Sequence, residues 1–256
     1  MLLVLKLVLV PSLVAAATLA AQRWGPRVGG WFTALPLVGG PVLCFYAVEQ
    51  GEQFASDAAR SALAGLSAVA AFCAAYAWAS RRMGWQVTAL LATLVFAAVT
   101  AALHVAGPGM AGSILLAVGG IALAGRTIPV PRAGSPPRAP GGALAIRMAA
   151  TATLVVALTL LAGGLGPRLS GLLTVFPVAT GIMASFTHAQ QGPHAVLTFF
   201  RGYLPALNAF ALFCLVLAVA FVPLGWAGAL VVALSAQLSA HAALLWTMHA
   251  SGNPNG

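Results

Sequence analysis

Charge is so scarce in this chain that every strongly polar side chain inside an apolar stretch is conspicuous. Among 256 residues, 3 are acidic, 12 are Lys or Arg and 5 are His. Glu49 and Gln50 close one apolar run, and His188, Gln190 and Gln191 close another. An ionisable group near the end of a membrane helix is a candidate for binding a coupling proton or cation, and Glu49 is read that way. The alternative is a carboxylate simply exposed at the membrane surface. Thr180, Ala184, Thr187, His188 and Gln191 recur three and four residues apart, which places them on one helical face able to line a hydrated path. Gln237 and His241 share another face at membrane depth. An intramembrane histidine can relay protons or bind a solute, and its commoner use is hydrogen bonding between helices.

Most other chemistry is excluded. The chain has no HExxH, no GxSxG, no phosphate-binding glycine loop and no pair of intramembrane aspartates. Too few side chains exist to supply a general acid together with a general base, so an enzyme is not expected, nor is a cofactor. Cys44, Cys73 and Cys214 lie in apolar segments without metal-ligand spacing and read as small buried side chains, so no metal is expected. The formal charge of +9 comes from arginines in short loops, where positive charge records topology and does not imply nucleic acid.

These groups need elements to position them. A chain that is 61% apolar and 6% charged, with mean hydropathy +0.99, cannot cover itself with polar surface. The bilayer tolerates this composition, and the long continuous apolar runs select helices over alternating barrel strands. The expected fold class is an all-α polytopic membrane protein with nine spans. They are Leu2–Ala21, Trp31–Val48, Ser61–Ser80, Gln86–Ala106, Gly109–Ala124, Met148–Gly163, Gly171–Ala189, Tyr203–Val222 and Ala227–Met248.

A shift of 141 residues superimposes one half of the chain on the other without a gap. Gly25-Pro26-Arg27 meets Gly166-Pro167-Arg168, Pro36 meets Pro177, Gly40 meets Gly181, and Gln50-Gly51 meets Gln191-Gly192. Further along, Arg60 meets Arg201, Phe72-Cys73 meets Phe213-Cys214, and Gly84-Trp85 meets Gly225-Trp226. Residues 1–106 are one repeat, 148–256 the other, and 107–147 hold a central helix with an Arg/Pro-rich loop. The odd helix between the copies reverses the second relative to the first. Nine of the 12 basic residues then fall on one side, which puts the N-terminus outside and the C-terminus in the cytoplasm of a bacterial-type inner membrane.

The second and seventh spans are interrupted by glycine and proline at matching positions. Pro36, Gly39 and Gly40 lie in one, and Pro177, Thr180 and Gly181 in the other. Such paired interruptions mark the binding sites of many secondary transporters, although a pair of packing kinks has the same pattern. Arg27 and Arg168 are either interfacial anchors or attractants at the two mouths. The expected function is a secondary-type transporter of a small solute, with proton or cation coupling, working alone or as a homodimer. The competing readings are a membrane subunit that organises a partner complex and, more remotely, a lipid-active enzyme.

Overall fold

A computed structural model describes residues 26–35, 39–130 and 166–250, together with Ser12, Leu19, Arg23 and Trp24. Every regular element among them is helical. In order, these are α1 (Pro26–Thr33), α2 (Gly39–Gln50), α3 (Glu52–Ala79), α4 (Trp85–Ala106), α5 (Met110–Thr127), α6 (Pro167–Thr174) and α7 (Val178–Ala250). Non-helical backbone at Gly192 and Gly225 divides α7 into arms 178–191, 193–224 and 226–250. The expected first and sixth spans lie outside the described residues.

Among the described residues, four helical stretches are long and apolar enough to cross a membrane: Glu52–Ala79, Trp85–Ala106, Met110–Thr127 and the composite Pro167–Leu244. The apolar runs of the whole sequence predict nine spans. Part of the difference is physical, since the second and seventh spans are each split into two short helices. The eighth and ninth are arms 193–224 and 226–250 of α7, set off by non-helical backbone at Gly192 and Gly225.

The boundaries differ for a related reason. The third span was expected to begin at Ser61, where the apolar run begins, yet α3 starts at Glu52. Charge does not end a helix. Glu52 lies in the first turn of α3, where a carboxylate suits the positive end of the macrodipole, and Asp57 and Arg60 form an ion pair of 3.0 Å on its flank.

The helices sort by what they bury. The α3 helix is apolar nearly all round and is buried along its length, from Ala55 through Ala62, Leu66 and Phe72 to Tyr76. By contrast, α4 buries one stripe (Thr88, Ala92, Phe96, Thr100, Leu103), and α5 buries Ser113, Ala117, Ile121 and Ala124. Their outward faces are large and aliphatic, with Leu90, Leu94, Leu115 and Leu123 exposed. Small residues inside and leucine outside is the arrangement that hydrocarbon solvent favours. Gly120 shows how close the packing is, because a Cβ there would lie 3.0 Å from the Ser67 side chain on α3.

The 141-residue offset recurs in the contacts. Thr33 and Thr174 each donate to the carbonyl four residues back, Gly29 and Ser170. A Cβ on Gly30 would lie 2.2 Å from the Phe199 carbonyl oxygen, and one on Gly171 would lie 2.1 Å from that of Ala58. Phe199 and Ala58 are themselves one offset apart, so each short helix is seated on the long helix of the other copy. Those long helices, α3 and arm 193–224, run antiparallel. Ser56 near the start of α3 donates to the Ala218 carbonyl at 2.6 Å, while Tyr76 near its end stacks edge-on with Phe200 at 5.7 Å. Gly51 (φ 91°) and Gly192 (φ 78°) make the turn into them from equivalent positions, in a region of backbone space that glycine alone enters readily.

Candidate functional site

The interruption of the second span falls just after α1. Helical bonding ends with the Ala34 and Leu35 amides donating to Trp31 and Phe32 at 3.3 and 3.2 Å. The Ala34 carbonyl is left for a partner from elsewhere, and the Gln237 side-chain amide donates to it at 3.4 Å from arm 226–250. One turn on, His241 Nδ1 lies 3.3 Å from the Gln237 carbonyl, and its ring meets Trp31 edge-on at 4.9 Å. Gln237 is fully buried and His241 nearly so.

This cluster holds more polar capacity than it uses. The atoms Trp31 Nε1, Gln237 Oε1 and His241 Nε2 are all shielded and have no hydrogen-bond partner. A buried polar atom left unpaired costs about 1–3 kcal/mol, so three in one cluster require a reason. Gln237 and His241 were candidates from the sequence. Trp31 was not, although it diverges from Leu172 at the equivalent place, which is the signal that could have found it.

The seventh span breaks at the matching position with different chemistry. Helix α6 ends at Thr174, Val175 is buried, the Phe176 amide donates to Leu173 at 3.0 Å, and the Gly181 amide donates to the Pro177 carbonyl at 2.7 Å. The residues that correspond to Gln237 and His241 are Phe96 and Thr100. Phe96 packs edge-on against Phe176 at 5.2 Å, and Thr100 keeps an unpartnered hydroxyl. Pro177 and Thr180 are buried, with Thr180 hydrogen-bonded to the Tyr203 hydroxyl, and Gly181 lies 3.5 Å (from an added Cβ) from Phe72.

The two breaks approach each other. Gly39, the first residue of α2, sits where a Cβ would meet the Phe210 ring at 2.8 Å and the Thr174 methyl at 3.6 Å. Gly40 beside it is also buried. Pro36 lies outside the described residues.

The remaining candidates divide between the two ends of the bundle. His188 donates to the Ser80 backbone, its Nδ1 has no partner, and its ring lies 6.0 Å from that of fully buried Tyr76. The Tyr76 hydroxyl faces the Ser185 side chain. Gln190 and Gln191 are half-buried nearby in sequence, and Gln191 Oε1 lacks a partner. The face running from Thr180 to His188 is therefore turned into protein. Glu49 and Gln50 are exposed at the end of α2, away from this group.

The arginines bind helix ends. Arg168 donates to the His104 carbonyl at 3.2 Å and its guanidinium lies against Gly107, so it caps α4. Arg201 donates to the Ile128 carbonyl at 3.0 Å and Trp78 to that of Thr127 at 3.1 Å, which caps α5. Arg27 is exposed, with its own carbonyl pressed against Gly202. Comparison of the chain with models of protein families, with curated proteins and with solved structures finds no match.

Proposed function

We propose that the chain is a secondary-type transporter of a small solute, with its site at the interruption of the second span. The observation that carries this reading is the Trp31–Gln237–His241 cluster, where a broken membrane helix meets three unpartnered buried polar atoms. Broken backbone at membrane depth persists where protein, water or a ligand satisfies it. The antiparallel α3 and arm 193–224, which occupy equivalent places in the two copies, support two inverted four-helix repeats within a nine-span chain. Each broken helix crosses onto the opposite copy, so rocking of one copy against the other changes access to both breaks. The arginine distribution gives an external N-terminus and a cytoplasmic C-terminus. The reading includes no enzymatic step and no cofactor, with an ion gradient or a separate subunit as the energy source. Glu49, exposed at the far end of α2, is the candidate for ion coupling.

Single cysteines in a background lacking Cys44, Cys73 and Cys214 test the reading in intact membranes. Gly39 is a poor reporter because of the Phe210 ring, whereas an added Cβ at Gly181 lies at van der Waals distance, 3.5 Å from Phe72, and Ala34 sits at the break beside the Gln237 amide. Ala34→Cys should react with polar maleimides from both aqueous sides, at rates that change with an imposed ion gradient. Inertness from both sides would favour the subunit that organises a partner complex.

A further inference from the structure

The unpartnered atoms of the Trp31 cluster are of known hydrogen-bonding type, and that type selects a ligand. His241 Nδ1 faces the Gln237 carbonyl at 3.3 Å, and a carbonyl only accepts, so Nδ1 holds the proton and neutral Nε2 is an acceptor. Gln237 spends one N–H of its amide on the Ala34 carbonyl at 3.4 Å, which leaves the other N–H as a donor and Oε1 as a second acceptor. The Trp31 indole offers only a donor. The free set is therefore two acceptors, the Trp31 N–H and the second N–H of the Gln237 amide, which a primary amide matches with two N–H groups and a carbonyl of two lone pairs.

The charge around it is equally restrictive. Glu49, Glu52, Asp57 and the described arginines lie toward the ends of their helices or in the turns, and the cluster contains no Asp, Glu, Lys or Arg. A net charge brought among these side chains would be desolvated with no opposite charge in the cluster itself, at a cost that exceeds what the hydrogen bonds return.

We infer that the site binds a net-neutral solute of the primary-amide class, whose two N–H groups meet Gln237 and His241 and whose carbonyl accepts from Trp31. The inference rests on the transport reading for its setting, but binding and flux can be separated. Three isosteric probes differ only in charge and donor pattern: acetamide, acetate and acetamidinium. The readout is the melting temperature of the full chain in detergent micelles at molar probe concentration, taken as the difference between wild type and Gln237→Leu, so that bulk solvent effects cancel.

Acetamide should raise the wild-type value by about 2–4 °C over that difference, with the other two probes giving no shift. Without any probe, Trp31→Phe and His241→Phe should each melt at or above the wild-type temperature, because each keeps the ring contact and removes an unpaired polar atom. Absence of an acetamide shift overturns the inference, as does a Gln237-dependent shift with acetate or acetamidinium. Lower melting temperatures in both aromatic variants would assign these atoms a structural role and overturn it as well. An amide shift without solute flux in proteoliposomes would remove the transport reading alone; flux without an amide shift would remove this inference alone.

Discussion

The two interrupted spans share a backbone frame and differ in what surrounds it. At the first break, Trp31, Gln237 and His241 bring three polar atoms that nothing satisfies. At the second, Leu172, Phe96 and Thr100 occupy the same places, Phe96 closes over Phe176 at 5.2 Å, and a lone threonine hydroxyl is left. The frame itself is held by glycine in both copies, at Gly30 and Gly171. The two breaks thus share a backbone frame, with polar side chains at one and an aromatic contact at the other. In the transport reading proposed above, the polar break is the binding site and the apolar one a pivot.

The largest expected effect concerns the frame. Gly30→Ala and Gly171→Ala each force a Cβ to within about 2 Å of a backbone oxygen that cannot move aside as a side-chain tip would. Each should cost about 3 kcal/mol or more, measured by chemical or thermal unfolding in detergent, and the two should be alike. A large loss at one and none at the other would break the equivalence of the copies.

The next test transplants one break into the other. Phe96→Gln combined with Thr100→His installs unpaired polar groups at the second break and removes the contact with Phe176. We expect a loss of about 2–4 kcal/mol of stability from the combined change. An unchanged stability would show that polar groups are satisfied at either break, and the contrast between them would lose its meaning.

A smaller effect tests where the copies differ in backbone. Gly225 has φ 69° and ψ 168°, whereas its equivalent Gly84 has φ −65° and ψ 161°. Gly225→Ala should destabilise by about 1–2 kcal/mol and Gly84→Ala by less than about 0.5 kcal/mol, read from the same melts. Smallest of all, Thr100→Val removes the orphaned hydroxyl at the second break and should stabilise by up to about 1 kcal/mol.

Much of this organisation was legible in the residues. Proline and glycine at matching positions located both breaks, because each residue type has a local backbone consequence. Gln50-Gly51 and Gln191-Gly192 matched in the repeat, and both glycines adopt positive φ at the turns there. Gln237 and His241 stood out because polar groups are rare at membrane depth. Trp31 did not, since an aromatic residue near a span end reads first as an interfacial anchor, and only its closeness to His241 reveals its place. Helix starts were also obscure. The charges from Glu52 to Arg60 interrupt an apolar run without interrupting hydrogen bonding. Nor does any local signal encode that α1 lies on arm 193–224 and α6 on α3, because that choice is made by long-range packing of Gly30 and Gly171.

Solute flux in proteoliposomes of the purified full chain tests the central claim most directly. A panel of small neutral amides and charged analogues should be compared across wild type, Gln237→Leu and Phe96→Leu. Wild type should move a neutral amide, Gln237→Leu should lose at least about tenfold of that flux while remaining folded, since its hydrogen bond to the solute is lost and a solute N–H is left unmet, and Phe96→Leu should retain most of it. Equal flux in wild type and Gln237→Leu, or loss of flux in Phe96→Leu alone, would place the site elsewhere and contradict the distinction drawn between the two breaks.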